Sequence, residues 1–160
     1  MRFLDGFEQV MGKVYMTICE IEARKSLCLR KKCGSIIVYG TRDIIGKGFN
    51  GPPGNIRLER CLKDDLPRDF KSDRTCCVHA EQRAIIDALR KFPNQLEGGR
   101  IYFLALNMDN QREFAGKPYC TICSKMALDV GIKEYVLWHS EGLTVYDTQE
   151  YNELSFAFRG

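Results

Sequence analysis

The 160-residue sequence contains no long hydrophobic run, no internal repeat and no low-complexity segment. Its longest strongly apolar stretch, Ile101 to Leu106, is far shorter than the roughly 18 residues that a membrane-spanning helix requires. Met1 to Lys13 lack the uninterrupted apolar core of a secretory signal, because Asp5, Glu8 and two glycines interrupt it. We therefore expect a soluble, cytoplasmic protein with no membrane partner.

The chain also lacks a strong excess of charge of either sign. It has 24 Lys and Arg residues against 21 Asp and Glu residues, for a formal net charge of +3. This mild basic bias is too small to indicate nucleic-acid binding. The length lies within the usual range of one domain, and a hydrophobic content of 44% is ample for a core. We expect a single domain over residues 1–160.

Cysteine, by contrast, is abundant, with eight residues in the chain. Because no export signal is expected, a reducing compartment is a better interpretation than a disulfide framework. Two short segments carry the most informative pattern. They are Cys77-Val78-His79-Ala80-Glu81 and, about forty residues later, Pro118-Tyr119-Cys120-Thr121-Ile122-Cys123.

His79, Cys120 and Cys123 form a candidate zinc site. An imidazole nitrogen and two thiolates are ligands that suit a tetrahedral zinc ion. Three protein ligands leave the fourth position open for water, whereas a structural site usually closes all four positions with protein atoms. Glu81 is two residues from His79 and is suited to accept a proton from that water rather than to bind the metal. The pattern therefore predicts one catalytic zinc ion with Glu81 as its general base.

Helix geometry explains how these residues would meet. If Cys120 opens a helix, Cys120 and Cys123 stand at i and i+3 on one face of its first turn. The positive end of the helix dipole favours thiolates there. A second helix is predicted from His79 to Phe92, with three residues spaced to bury one of its faces. These three are Ile85, Ile86 and Leu89.

A structural interpretation of the same residues stays open at this point. A C-x-x-C pair and a distant histidine can form a zinc knot closed by a fourth ligand, and six further cysteines are present. The chain would then be a non-catalytic, zinc-stabilised binding module, and Glu81 would be dispensable. Three of those cysteines could also supply a second, structural zinc site, or behave as small buried hydrophobes. They are Cys61, Cys76 and Cys77.

The periodicity of apolar residues predicts an α/β fold. An amphipathic helix is expected near the start of the chain. Its apolar positions are Phe7, Val10, Met11, Val14, Ile18 and Ile21. Strands are predicted at Ser35–Tyr39, Ile44–Phe49, Arg100–Asn107 and Lys133–Trp138, the first two joined as an antiparallel hairpin. The alternation of strands with helices indicates a central sheet.

Several further segments carry functional candidates. Phe49 to Gly54 breaks regular structure and is predicted to be a binding loop. Ile56 to Cys76 is predicted to be a long polar loop in which positive and negative charges are interleaved. Loops of this length are often functional or mobile. His139, at a strand end, is expected to form a hydrogen bond or lie on the surface rather than to bind zinc. Aromatic residues of the tail are expected to pack on the sheet or on a neighbouring subunit. They are Tyr146, Tyr151, Phe156 and Phe158.

A basic cluster follows the first helix. One interpretation is a solvent-exposed surface near a helix C-terminus. The other, more specific interpretation is a phosphate-binding site. Its members are Arg24, Lys25, Arg30, Lys31 and Lys32.

The two central segments match a known signature. H-x-E followed by P-C-x-x-C marks zinc-dependent nucleobase deaminases, and this chain differs by Tyr119, inserted between the proline and the first cysteine. Ser26–Val38, Gly48–Gly54 and Gly131–Glu134 occur in the order found in deoxycytidylate deaminases. Over roughly residues 10 to 140, the chain resembles the cytidine and deoxycytidylate deaminase superfamily, and within it the deoxycytidylate deaminases most. Arg83 stands where similar proteins commonly carry asparagine.

The resemblance implies a fold and an activity. The fold would be a single zinc-dependent domain of three αβα layers with a central five-stranded mixed sheet. The activity would be hydrolysis of deoxycytidine monophosphate (dCMP) to deoxyuridine monophosphate (dUMP) and ammonia. Glu81 would move protons, the Ala80 backbone N–H would contact the pyrimidine carbonyl, and Asn50 would contact the sugar or else cap its own backbone. Related enzymes are commonly homo-oligomers, often hexamers, and some bind a second, structural zinc ion.

A rival within the same superfamily is a deaminase that acts on a base in tRNA. Such an enzyme needs an electropositive track and stacking aromatic residues. The net charge of +3 argues weakly against nucleic acid as the partner.

Overall fold

The computed structural model describes residues 1–67 and 76–159 of the chain. Part of the polar loop predicted between Ile56 and Cys76 therefore lies outside the described residues, including five of its charges. These are Arg68, Asp69, Lys71, Asp73 and Arg74. In the two described ranges, no helix combines the length and the apolar character needed to cross a lipid bilayer.

A mixed β-sheet of seven strands forms the centre of the described structure. Its strands are β1 (Arg2–Phe3), β2 (Lys32–Tyr39), β3 (Asp43–Phe49), β4 (Arg100–Leu106), β5 (Arg112–Glu113), β6 (Glu134–His139) and β7 (Gly142–Asp147). The order across the sheet is β1-β7-β6-β4-β2-β3, and β5 pairs with β4. β4 and β6 run parallel, whereas the other neighbours are antiparallel.

The prediction of a five-stranded sheet is wrong, because two short strands extend the five long ones. β1 and β5 contain two residues each, too few to show the alternation that identifies a strand in a sequence. They depend on tertiary partners: Arg2 lies opposite Val145, and Glu113 lies opposite Ala105. The four strands and the hairpin expected from the sequence are confirmed, with ends shifted by up to three residues. β7 is a long strand that the periodicity did not identify.

Four α-helices of the described structure cover the two faces of the sheet. They are α1 (Gly6–Ala23), α2 (Ala80–Lys91), α3 (Thr121–Asp129) and α4 (Thr148–Ala157). On one face, α1 packs in a cluster that includes Tyr102, whereas residues of α2, α3 and α4 pack in a second cluster with Ile101. Successive residues of a strand point to opposite faces of a sheet. The three-layer αβα arrangement is therefore confirmed.

The amphipathic helix expected near the start of the chain is confirmed as α1, but much of its apolar stripe faces solvent. The exposed positions are Phe7, Val10, Val14 and Ile21, at 47% to 61% exposure. Cys19 and Ala23 are fully buried against the sheet instead. A Cβ added to Gly34 of β2 would lie 1.9 Å from the carbonyl oxygen of Cys19. Small residues thus allow the helix to pack directly against the strand.

Helix α2 buries a narrower face than the sequence predicts. Ile85 is fully buried, but Ile86 and Leu89 are 38% and 40% exposed. The close approach of α2 to β3 explains this, since a Cβ added to Gly48 would lie 2.2 Å from the carbonyl oxygen of Ala80. Glycine at this position lets the first turn of α2 lie directly on the sheet.

Candidate functional site

The N-terminus of α2 supplies the first part of the site. His79 is the N-cap of this helix, and its backbone N–H donates to Oε1 of Gln82 at 3.0 Å. Val78 forms an isolated antiparallel bridge to Gly51, with N···O distances of 2.9 and 3.2 Å. These contacts fix the start of the helix and hold it beside the loop that begins at Asn50.

The N-terminus of α3 supplies the second part. Cys120 is its N-cap, and the backbone N–H of Cys123 donates to Sγ of Cys120 at 3.4 Å. Tyr135 on β6 donates its hydroxyl proton to the carbonyl oxygen of Cys123 at 3.1 Å. Both cysteines therefore lie at the start of the helix, as the C-x-x-C spacing predicts.

The two helix starts bring three donor atoms together. Nδ1 of His79 lies 3.3 Å from Sγ of Cys120 and 3.2 Å from Sγ of Cys123. The three donor atoms lie within 4.8 Å of one another, and no other group of His, Cys, Asp or Glu donors within residues 1–67 and 76–159 does so. One nitrogen and two sulfurs are a donor set that fits zinc. The residues present therefore form a candidate zinc site.

The surroundings of Cys120 favour its thiolate form. A hydrogen bond from Cys123 lowers the pKa of the Cys120 thiol, burial opposes this, and a hydrogen bond from His79 lowers the pKa further. The same contact with Cys120 raises the pKa of His79. The position of Cys120 at a helix N-terminus acts in the same direction, because unpaired backbone N–H groups stabilise negative charge.

Glu81 lies beside these donors in the first turn of α2 and is only 6% exposed. Burial raises the pKa of its carboxyl to about 7, and the negative charge of Cys120 adds to the effect. It is not one of the three clustered donors. A carboxyl group with a near-neutral pKa can take up a proton and return it at neutral pH, as a general acid–base group must.

A cavity of about 210 Å³ opens beside this site. His79, Ala80, Glu81, Cys120 and Asn50 line its wall. Ala80 is the first residue of α2, so its backbone N–H has no partner within the helix and can serve a ligand.

The sequence matches a known protein family across this site. Residues 11–139 match the family described as the cytidine and deoxycytidylate deaminase zinc-binding region. The chain belongs to this deaminase family. The matched range includes His79, Glu81 and both cysteines of the C-x-x-C pair.

Among curated relatives, the chain is similar to the deoxycytidylate deaminase of Saccharomyces cerevisiae. The two are 28% identical over 149 residues, which cover 85% of this chain and 42% of the yeast protein. The chain spans about two fifths of the length of the curated relatives it matches.

Solved structures show the same fold at low sequence identity. One is dCMP deaminase from the cyanophage S-TIM5 in complex with dCMP and dUMP, at 24% identity and a TM-score of 0.56, with 81% of this chain and 82% of that chain covered. Another is cytidine deaminase from Burkholderia pseudomallei, at 14% identity and a TM-score of 0.57, with 87% of this chain and 94% of that chain covered. These likenesses bear out the fold implied by the sequence motifs.

The side-chain amide of Asn50 in this deaminase-family chain makes three hydrogen bonds. Its Oδ1 accepts from Oγ of Ser26 at 2.6 Å and from the backbone N–H of Cys33 at 2.7 Å. Its Nδ2 donates to the carbonyl oxygen of Lys31 at 2.8 Å. The second N–H of the amide makes no hydrogen bond to another described residue. That N–H is the group that Asn50 can offer to a ligand, and its contact with a sugar stays a prediction.

The structure divides the basic cluster that follows α1. Arg24, Lys25 and Lys32 are not on the cavity wall, and each of them bonds to an acidic or amide side chain. Arg30 and Lys31 do line the cavity, but Arg30 pairs with Asp64 and Lys31 with Glu113. The cluster therefore contributes two cations to the cavity, both already paired.

Lys63 and Lys117 are cavity-lining cations that the sequence did not single out. Neither forms a salt bridge with any residue in the described part of the chain. Lys63 lies in a four-residue 3₁₀ helix, Leu62–Asp65, and Lys117 in an irregular segment, and both segments are too short for periodicity to indicate side-chain direction. Their charges are therefore available to an anionic ligand.

Four aromatic residues also line the cavity: Phe103, Phe114, Tyr119 and Tyr151. Tyr151 lies on α4 and stacks on Tyr135, with ring centroids 4.1 Å apart and planes 20° apart. Tyr151 thus packs within the core, as expected for the tail, and it also reaches the cavity. No local sequence pattern could have signalled this, because α4 meets the site only through the tertiary fold.

The structure gives the surroundings of His139, which was expected to form a hydrogen bond or lie on the surface, and of the inserted Tyr119. Nδ1 of His139 bonds the carbonyl oxygen of Ala115 at 2.9 Å, and its Nε2 bonds the hydroxyl of Tyr146 at 2.9 Å. Tyr119 lines the cavity and lies 5.8 Å from the ring of Phe158. Its insertion leaves the cysteine pair at the start of α3.

A second cysteine cluster lies at the same cavity. Sγ of Cys76 is 3.7 Å from Sγ of Cys61 and 3.8 Å from Sγ of Cys77. Burial and then the nearby Cys28 raise the pKa of Cys77. All four thiols line the cavity. In the described ranges, no three of these sulfur atoms all lie within 4.8 Å of one another, unlike the donors of the first site. A second metal ion therefore stays a prediction.

Proposed function

We propose that this chain catalyses the hydrolytic deamination of dCMP to dUMP and ammonia. The observation that carries the proposal is the buried Glu81 beside three zinc-type donors at the wall of a cavity. Membership of the deaminase family supports the reaction class. The name of the yeast relative and the nucleotides in the cyanophage structure support dCMP as the substrate.

His79, Cys120 and Cys123 would hold the zinc ion, and Glu81 would stay outside its coordination shell. When bound, zinc would supply Lewis acidity and lower the pKa of the attacking water. The thiolate-favouring surroundings of Cys120 prepare that site for a cation.

Glu81 would carry protons through the reaction. It takes a proton from water, whose oxygen forms a bond to the amino-bearing ring carbon, and it gives that proton to the adjacent ring nitrogen. The new hydroxyl on that carbon then gives its proton through Glu81 to the amino group, and the carbon–nitrogen bond breaks as the carbonyl double bond forms, which releases ammonia. One carboxyl thus acts as base and acid in turn, which its raised pKa suits.

The cavity wall would orient the nucleotide. The backbone N–H of Ala80 is assigned to the pyrimidine carbonyl oxygen, and the remaining amide N–H of Asn50 to the sugar. Lys63 and Lys117 are assigned to the phosphate, because they line the cavity and form no salt bridge with a described residue. Charge-assisted hydrogen bonds of this kind are roughly twice as strong as neutral ones.

A panel of substrates tests the proposal. We expect ammonia release from dCMP to exceed release from deoxycytidine, cytidine monophosphate and an unmodified tRNA pool under one set of conditions. Equal rates with deoxycytidine would remove the role of the phosphate. Activity on tRNA alone would favour the tRNA-base deaminase, and zinc binding without any turnover would favour the non-catalytic module.

We also propose that residues 1–160 act as one zinc-dependent domain that self-associates through α1. The two hydrophobic clusters share one sheet, which supports a single domain. The exposed stripe of Phe7, Val10, Val14 and Ile21 has the spacing of a helix–helix seam. Because Phe7 and Ile21 are equally far from Val14, an antiparallel pair of two copies would bury the whole stripe. A hexamer would need a further contact.

A second, structural zinc ion is the last part of the proposal. The thiols of Cys61, Cys76 and Cys77 lie close enough for small side-chain movements to bring them onto one ion, and Cys28 adjoins them.

A further inference from the structure

The side chain of Arg83 contacts the loop of residues 50–55 and does not line the cavity. It follows Glu81 by two residues on α2, yet it is not on the cavity wall. The chain thus has a long, charged side chain one helical turn after His79 of the candidate metal site. The contacts of that side chain show what it does here.

The guanidinium of Arg83 holds the loop of residues 50–55 at three points. Its Nη1 donates to Oδ1 of Asn55 at 2.6 Å, and its Nη2 donates to the carbonyl oxygens of Gly51 at 3.0 Å and Pro52 at 2.7 Å. The group also lies over the ring of Phe49, with Cζ 5.1 Å from the ring centroid. Planarity and several donors fixed in a fork allow a guanidinium to serve these partners together, which a lysine ammonium cannot do.

This loop carries Asn50, a residue of the cavity wall. The Asn50 amide ties the start of the loop to Ser26 and Lys31, which precede β2, and to Cys33 in β2. Arg83 ties the rest of the loop to α2, the helix that His79 caps and that carries Glu81. The bridge between Val78 and Gly51 and the bonds that Arg83 makes therefore set the distance between Asn50 and Glu81 together.

We propose that Arg83 is a positioning residue that fixes the 50–55 loop to α2 and so sets where the cavity holds the nucleotide sugar. The inference rests on the proposed deaminase function. The carbonyl oxygens that Arg83 contacts keep other donors, since Gly51 also accepts from Val78 and Pro52 from Asn55. Loss of Arg83 thus loosens the loop without leaving buried carbonyls unpaired, and the fold should persist.

The test compares Arg83→Ala and Arg83→Lys with the matched control Arg90→Ala, an exposed arginine on the same helix. For dCMP, Arg83→Ala should raise KM by about tenfold while kcat changes by less than about threefold, the pattern of lost ground-state positioning. Arg83→Lys should recover only part of the loss. Zinc content should be unchanged in all variants. An unchanged KM for dCMP in Arg83→Ala, whether or not kcat falls, would overturn the inference.

A second measurement separates this inference from the proposed function. Hydrogen exchange of the Gly51 and Asn55 amides, measured without substrate, should quicken in Arg83→Ala and not in Arg90→Ala. Unchanged exchange in Arg83→Ala would refute the positioning role even if the chain deaminates dCMP. Faster exchange in a chain without deaminase activity would keep the structural role and remove the proposed function.

Discussion

Nδ1 of His79 lies 3.3 Å from Sγ of Cys120, although 41 positions separate the two residues in the chain. Each residue is an N-cap, His79 of α2 and Cys120 of α3. The contact therefore joins two helix starts, where unpaired N–H groups favour negative charge on a sulfur. A single ion at this junction would hold both helices to the same point, so metal loss should affect stability as well as activity.

Removal of either thiol should remove the metal. We expect about one zinc ion per chain from the first site, and Cys120→Ser or Cys123→Ser should each lose it. Elemental analysis of the purified variants checks this. Cys33→Ser is the matched control, because Cys33 also lines the cavity but is not one of the three clustered donors. Full zinc occupancy in both cysteine variants would show that the ligand assignment is wrong.

A second equivalent of zinc would have a different origin. If it is present, Cys61→Ser and Cys76→Ser should remove one equivalent and leave the other. A content of one equivalent that survives both substitutions would reject a structural ion at the second cysteine cluster.

Glu81→Gln should separate catalysis from metal binding. The amide keeps the shape of the side chain but cannot accept a proton, so zinc content and fold should persist while kcat falls. Positioned acid–base groups typically contribute about 10² to 10⁴ in rate, and Glu81 serves several transfers, so the fall should be at least that large. Glu22→Gln is the control, because Glu22 is also buried but lies on α1 and pairs with Lys25. Near-normal turnover by Glu81→Gln would contradict the assigned role.

Lys63→Ala and Lys117→Ala should lower activity on the nucleotide but not on the nucleoside. A hydrogen bond to a charged group contributes about 1.5 to 3 kcal/mol, so each change should lower kcat/KM for dCMP by about 10- to 100-fold. The rate with deoxycytidine, which has no phosphate, should stay the same. Lys125→Ala, an exposed lysine on α3, serves as the control. Equal losses with both substrates would place these lysines away from the phosphate.

Glu8 should make stability depend on acid pH. A hydrogen bond from Arg2 lowers the pKa of the Glu8 carboxyl to about 2, and Arg100 adds to the effect. Because the pKa of Glu8 is lower in the folded state, its ion pairs stabilise the fold at pH values above the unfolded pKa of 4.5. This stabilisation is lost as pH falls from 4.5 toward 2.

Glu8→Gln measures that contribution. Its free energy of unfolding should be lower than that of the parent at pH 7, by less than about 1 kcal/mol, because the pair is partly exposed. The difference should shrink as pH falls through this window, and effects at the metal site cancel because both proteins share them. A difference that grows on acidification would contradict the prediction.

Val14→Glu should dissociate the proposed α1 pair. A charge at the centre of the stripe would be buried without a partner, at a large cost in free energy. Sedimentation velocity should show a smaller species than the parent, whereas Leu154→Glu, an exposed apolar position on α4, should not change the assembly. A monomeric parent, or the same assembly in Val14→Glu, would rule out α1 as the interface.

The sequence by itself identified the candidate zinc donors and the helices that carry them. H-x-E and C-x-x-C are local spacings, and helix geometry converts local spacing into shared direction, so His79, Glu81, Cys120 and Cys123 could be placed at helix starts without a structure. The hairpin of β2 and β3 was equally local. The loop asparagine, Asn50, came from the family resemblance rather than from its spacing.

Tertiary structure decided everything that depends on segments far apart in the chain. The apolar stripe of α1 predicted burial, but small residues facing Gly34 fixed the opposite face against the sheet. β1 and β5 exist only because β7 and β4 offer unpaired edges to two-residue segments. Tyr151 at the cavity and the bonds from Arg83 to the 50–55 loop had no local signal. Periodicity reports which residues share a face of one element, whereas the partner of that face is set by close packing between elements.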